Sequence, residues 1–179
     1  MTTRQERTKR TEGQATRHRQ YRDDAPHTAQ TVGEYIVGRE IGRGSFATVF
    51  KGQHRTTGLR VAVKSVSRSK LTKKLLENLE SEIKILKSVR HDNVVHLLDC
   101  QKSESHIYLI MEFCSLGDLA DFIKRRADQI GLRAPAGGLK EHVVRHFLRQ
   151  LSQALEFLRS KNLIHRDIKP QNLLLLPTP

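Results

Sequence analysis

His165-Arg166-Asp167-Ile168-Lys169-Pro170-Gln171-Asn172 carries the strongest chemical signal in the chain. It supplies a carboxylate at Asp167, a cation two residues on at Lys169 and an amide five residues on at Asn172. A carboxylate can take a proton from an attacking hydroxyl. A lysine can neutralise a phosphate, and an amide oxygen is a hard donor suited to Mg²⁺. Ahead of the stretch, residues 141–161 carry Val144, Phe147, Leu148, Leu151, Leu155 and Leu158 at helical spacing, so the period predicts one long helix with a single apolar stripe. Asn162 is a suitable terminator. Leu173 to Leu176 reads as a short strand.

The 179 residues suit one domain, or one and a part. The net charge is +13, and the basic excess is not confined to the start: up to Thr31 there are seven Lys/Arg against four Asp/Glu. Such a balance indicates attraction to phosphate-bearing partners or a solvated basic surface, and says nothing of fold. Residues 1–33 are rich in Arg, Thr, Gln and Asp and almost lack large aliphatics. They cannot bury enough apolar area to offset chain entropy, so they read as a disordered basic tail. Cys100 and Cys114 sit in apolar runs without metal-ligand spacing, which indicates free thiols in a reducing compartment. No run approaches the ~18 apolar residues of a membrane span.

Order begins at Tyr35-Ile36-Val37-Gly38-Arg39-Glu40-Ile41, a β-rich run entering Gly42-Arg43-Gly44-Ser45-Phe46-Ala47-Thr48-Val49. Paired glycines permit a tight turn whose N–H groups can cradle phosphate, but G-x-G also marks ordinary hairpins. Thr56-Thr57-Gly58 turns the chain into the β-branched run Val61-Ala62-Val63-Lys64-Ser65-Val66. A strand lysine ordinarily faces solvent; one facing a cleft needs a carboxylate or phosphate. Residues 70–90 have helical spacing of Leu71, Leu75, Leu76, Leu79, Ile83 and Leu86, with Glu82 beside the stripe as a partner for Lys64. Residues 94–99 and Ile107-Tyr108-Leu109-Ile110-Met111-Glu112-Phe113-Cys114 read as two more strands. A turn at Ser115–Gly117 opens a short helix through Arg126, and a loop with Pro135 follows.

Singly, each piece has an ordinary explanation. Their order and spacing resemble a protein kinase over residues 35–176. The resemblance implies an α+β fold. Residues 34–114 would form an antiparallel five-stranded N-lobe sheet with one helix. Residues 115–179 would form the first helices and catalytic loop of an incomplete helical C-lobe. It also assigns roles, with ATP and Mg²⁺ as cofactors. Ile41, Gly42, Gly44, Ser45, Phe46 and Val49 match the loop over ATP, with Ala47 in place of a third glycine. Val49 and Ala62 would sandwich the adenine with Leu174 below it. Lys64 would hold the α- and β-phosphates, and Glu82 would fix Lys64. Met111 would gate the back of the pocket, and backbone groups of Glu112 and Cys114 would bond the adenine edge. Asp118 would lie near the ribose. Asp167 would accept the substrate proton, Lys169 would contact the transferring phosphate and Asn172 would bind Mg²⁺.

Lys169, two residues after Asp167, resembles the serine/threonine class rather than the tyrosine class. Ser81-Glu82-Ile83-Lys84-Ile85-Leu86-Lys87, Phe113-Cys114-Ser115-Leu116-Gly117-Asp118-Leu119 and Val144-Arg145-His146-Phe147-Leu148-Arg149-Gln150-Leu151 are similar to the autophagy-initiating kinases, particularly fungal ones. This implies a cytosolic enzyme with Ser/Thr-bearing protein substrates. A regulatory complex would recruit it to the autophagosome assembly site as a peripheral membrane protein. Nucleic acid is not among the expected partners.

Besides Ala47, the chain departs from the family after Asn172, where it shows no activation segment, no Ala-Pro-Glu and no remaining C-lobe. No Asp-Phe-Gly follows Asn172, so a principal Mg²⁺ ligand is not among these residues. The expectation is a fragment of an active kinase, catalytically inactive and marginally folded alone. A non-catalytic kinase-like decoy is the alternative, and a polyanion-binding module resting on charge alone ranks last.

Overall fold

The computed structural model describes residues 30–126, 129–134 and 138–177. The tail as far as residue 29, and Pro135, lie outside the described residues. The chain order is β1 (Gln30–Val32), β2 (Tyr35–Arg43), β3 (Ala47–His54), β4 (Arg60–Ser67), α1 (Lys73–Ser88), β5 (Leu97–Lys102), β6 (His106–Glu112), α2 (Leu119–Asp121) and α3 (Glu141–Ser160). Strands β1 to β6 form one antiparallel sheet in the order β1-β2-β3-β4-β6-β5.

The five expected strands are therefore present, with a sixth ahead of them. Gln30, Thr31 and Val32, which read as tail, pair with Val37, Ile36 and Tyr35 across a turn at Gly33, where φ is +55°. Val32 is buried and anchors this short edge. Three residues with one apolar member carry no strand periodicity, so tertiary packing decides the outcome.

Strand alternation divides the sheet into two faces. Tyr35, Val61, Val63 and Ile110 form a core on one face, with Val37, Phe50 and Tyr108 against it. Gly52 belongs to this layer: a Cβ there would lie 2.9 Å from Val63 Cγ2. On the other face Val66, Ile107 and Leu109 meet Ile83 of α1, flanked by Leu71, Leu76, Leu79 and Leu97. Helix α1 starts at Lys73 rather than residue 70 because Arg68–Lys70 forms a 3-10 turn. Thr72 then caps the helix, its side chain accepting from the Leu75 N–H.

The segment after β6 departs further from expectation. The short helix is a single α turn, Leu119–Asp121, that widens into a π-type turn over Phe122–Arg126. The anticipated strand at 173–176 is reduced to one bridge, Asp118↔Leu174. It is supported by the Leu119 N–H donating to Leu173 O and the Leu175 N–H to Gly117 O, both at 2.8 Å.

Helix α3 has the expected length and terminator but buries a different edge. Val143 and Ala154 are the buried residues, whereas Val144, Leu148 and Leu155 are exposed, Leu148 by 56%. Phe147 packs edge-on to Phe122, and Phe157 stacks on His91. The helix ends in a Schellman arrangement: Asn162 adopts φ 56°, its N–H donates to Arg159 O, and the Leu163 N–H donates to Leu158 O. This turn aims the chain into residues 163–172.

Ile110 is completely buried where β4 and β6 pair. Ile110→Ala is expected to cost about 2–5 kcal/mol, read as a lower urea midpoint. Leu59→Ala, at an exposed turn position, should stay within about 0.5 kcal/mol.

Candidate active site

In antiparallel pairing, opposed residues share a face. Val49 opposes Lys64, which opposes Leu109; Ala62 opposes Met111, which opposes Leu97. Val49, Ala62, Lys64 and Met111 therefore lie together on the α1 face, Lys64 half-buried and Ala62 buried. Above Val49 the β2–β3 hairpin closes over Gly44, Ser45 and Phe46, with the Gly44 N–H donating to Ala47 O at 2.8 Å. Gly42 opposes Val49 and Arg43 opposes Thr48, with register shifts between Val37 and Gly42 that bend the strand. Ile41 and Phe46 are exposed at this rim, Phe46 by 52%.

The expected pairing of Glu82 with Lys64 is not made in this arrangement. No ion pair joins it to Lys64 among the described residues, and it is exposed on α1. The rotation of α1 explains this. Ile83 is the helix's buried residue, seated among Val66, Ile107 and Leu109. On the sheet side the helix is tied by Glu80, whose carboxylate receives Lys102 Nζ at 2.6 Å. The Glu80 carboxyl is held below its ordinary range, first by this hydrogen bond and then by the charge of Lys102.

Asp167, Lys169 and Asn172 form a tight cluster at the catalytic-loop stretch. Lys169 Nζ lies 2.9 Å from Asp167 Oδ2. Asn172 Nδ2 donates to Asp167 Oδ2 at 2.9 Å and to its backbone O at 2.8 Å. The Asp167 N–H donates to His165 Nδ1 at 3.3 Å. Arg166 adopts φ 66°, a left-handed turn that brings the flanking side chains together. Asn172 is placed by the 3-10 turn Pro170–Asn172, which begins with proline as such turns tolerate.

The hydrogen bond from Lys169, then that from Asn172, holds the Asp167 carboxyl below the usual carboxylate range; modest desolvation opposes them. Asp167 is thus ionised at neutral pH. Because its folded value is depressed, these contacts are fully present above the ordinary 3.8 and are lost as pH falls through the depressed value. The amide oxygen of Asn172 and the Asp167 carboxylate are hard oxygen donors of the kind a Mg²⁺ ion takes. Asn172 Oδ1 takes no part in the bonds to Asp167, and among the described residues no cluster of three or more His, Cys, Asp or Glu forms a closed metal cage.

The edge of the site runs along Glu112, Phe113 and Cys114. Burial first, and the Glu112 charge second, push the Cys114 thiol up to about 11, so it is not a reactive nucleophile at neutral pH. Asp118 serves as a helix cap, its carboxylate accepting the Asp121 N–H at 2.9 Å. The bridge Asp118↔Leu174 brings this edge against the end of the catalytic loop. Two contacts here have no local sequence signal. Lys51 Nζ sits 5.7 Å over the Phe113 ring, and His96 Nδ1 approaches Glu112 Oε2 at 3.6 Å.

A glycine-turned hairpin above a lysine-bearing sheet face, joined to an Asp-Lys-Asn loop at a helix terminus, defines a protein kinase. The protein kinase domain family matches residues 35–178, and the chain belongs to that family. It is 54% identical over 177 residues to the serine/threonine-protein kinase atg1 of Penicillium rubens, covering 92% of this chain and 18% of that protein. Identity to the proteins of the same name from Aspergillus clavatus and Schizosaccharomyces pombe is 58% over 161 and 55% over 163 residues. These matches cover 83% and 85% of this chain, and 17% and 20% of those relatives. The chain thus spans about a fifth of the length of these relatives. Among the described residues, no helix is long and apolar enough to cross a membrane.

Lys169→Met should raise the Asp167 carboxyl pKa toward the ordinary value, measured by NMR titration of the side-chain carbonyl. Asn172→Ala should raise it by a smaller amount, since the lysine contact is the larger cause.

Proposed function

We propose that the chain carries the nucleotide-binding face and catalytic loop of a serine/threonine protein kinase that acts in the initiation of autophagy. The observation that carries this reading is the convergence of Val49, Ala62, Lys64 and Met111 on one sheet face beneath the Gly42–Phe46 hairpin. The catalytic-loop cluster of Asp167, Lys169 and Asn172 supports it. Similarity to the atg1 kinases supports the serine/threonine class and the autophagy role.

On this reading ATP is the phosphoryl donor and Mg²⁺ neutralises its phosphates. Val49 and Ala62 supply apolar surface for the base, with Leu174 beneath, and Met111 limits its depth. Main-chain groups at Glu112 and Cys114 pair with its polar edge. Ile41, Gly42, Gly44, Ser45 and Phe46 cover the phosphates with backbone N–H groups, and Lys64 offsets their charge. Glu82 reaches Lys64 only if α1 rotates, which exchanges the exposed position of its carboxylate for an ion pair.

Asp167 orients a Ser or Thr hydroxyl and takes up its proton. Lys169 has three donors, so it can keep Asp167 oriented and still meet a phosphate oxygen. Asn172 offers its amide oxygen to the metal while its NH₂ holds Asp167. The chemistry is positioning and charge neutralisation, as in-line phosphoryl transfer requires. The protein would be cytosolic, recruited peripherally to the autophagosome assembly site by a regulatory complex.

Isothermal titration of the 179-residue chain with Mg-ADP tests this directly. Lys64→Met should weaken binding by about 10- to 150-fold, as expected for one charge-assisted contact. Equal affinity in the variant overturns the assignment. The chain alone should bind nucleotide without transferring phosphate, because a principal metal ligand of the family is not among its residues.

A further inference from the structure

We propose that His96 is a positioning residue for the nucleotide-binding edge, acting through Glu112 by means of a fixed imidazole tautomer. The proposal rests on the nucleotide-binding reading above. His96 stands just ahead of β5, and Glu112 ends β6. Three contacts tie them. The Glu112 N–H donates to His96 O at 3.0 Å, the His96 N–H donates to Glu112 Oε2 at 3.4 Å, and His96 Nδ1 lies 3.6 Å from the same oxygen. Both side chains are about two-thirds shielded from solvent, at 31% and 32% exposure.

The far side of the ring is also engaged. The His91 N–H donates to His96 Nε2 at 3.2 Å. That nitrogen must therefore carry a lone pair, and the ring's proton belongs on Nδ1, facing the carboxylate. Free neutral histidine prefers the opposite tautomer, so the surroundings select this one. His91 is itself fixed. Its Nδ1 accepts the Asn93 N–H at 3.0 Å, and its ring stacks on Phe157 of α3 at 4.9 Å.

A chain of contacts thus runs from α3, whose end feeds the catalytic loop, through His91 and His96 to Glu112. The consequence is orientational. With its N–H committed to His96 O and its carboxylate held by His96, Glu112 cannot rotate freely about its own backbone. Its carbonyl, which the nucleotide edge requires, is thus oriented by the pairing of Glu112 opposite Val61 together with the His96 contacts outside the pocket. Truncating the imidazole removes the ring's contact with the carboxylate, leaving only the main-chain N–H of His96 against it, and leaves the His91 N–H without its acceptor.

Glutamine is the discriminating replacement, because its amide can both donate to Glu112 and accept from His91. Long-range ¹H–¹⁵N spectra of the chain should show His96 protonated at Nδ1 and bare at Nε2. Mg-ADP affinity, by titration calorimetry, should fall roughly 2- to 13-fold in His96→Leu and return to within about twofold of wild type in His96→Gln. Amide exchange at His91 should accelerate in His96→Leu and recover in His96→Gln. The Nε2–H tautomer, or undiminished affinity in His96→Leu, overturns the proposal. If wild type itself binds no Mg-ADP, the nucleotide-binding reading fails. The clamp then stands or falls on the tautomer and on the His91 exchange rate.

Discussion

Seven consecutive residue pairs seat β4 against β6, from Val61↔Glu112 to Ser67↔His106, and another seven seat it against β3. Side chains alternate along a strand, so a slip of one residue would send every one to the opposite face. The seating is pinned by burial. Val61 and Val63 are completely buried on one side and Val66 is buried against Ile83 and Ile107 on the other. Lys64 is carried with Ala62 and Val66 to the α1 face because its neighbours cannot be placed otherwise. The charge at the centre of the site is therefore positioned by hydrophobic packing on both sides of it.

The second half of the site depends on how a helix ends. Asn162 in a left-handed conformation closes α3, and the chain leaves toward Arg166, also left-handed. These two turns carry residues 163–168 to a place where Asp167 meets Lys169 and Asn172. The main chain at Leu173 and Leu175 then pairs with Gly117 and Leu119, fastening the loop beside the edge that follows β6. A carboxylate whose pKa is lowered by two neighbours needs such fixed geometry, since all three side chains are exposed to competing water.

Much of this was legible in the residues. The alternation of Val61 to Val66 and the apolar run Ile107–Met111 specify strands, and their order with the Asp167 stretch specifies the family. What could not be read depends on rotation and on distant pairing. Glu82 lies next to Ile83 in sequence, but which of them faces the sheet is settled by how α1 seats on Val66 and Leu109. The helical period of α3 was plain. The choice of Val143 and Ala154 over Val144 and Leu148 as the buried edge follows from where Phe122 and His91 lie, and local pattern does not encode it. The strand at Gln30–Val32 exists only because β2 offers it an edge. The contact of His96 with Glu112 joins residues sixteen apart and shows in neither segment alone.

The proposed function places nucleotide on the α1 face of the sheet beneath the glycine hairpin. Amide chemical-shift mapping of the isotopically labelled chain with a non-hydrolysable Mg-ATP analogue tests it most directly. The predicted result is large shifts at Gly42, Gly44, Ala62, Lys64, Met111 and Cys114, with little change at Val61, Val63 and Ile110 of the opposite core. Shifts scattered over the basic surface, with none under the hairpin, would contradict the account.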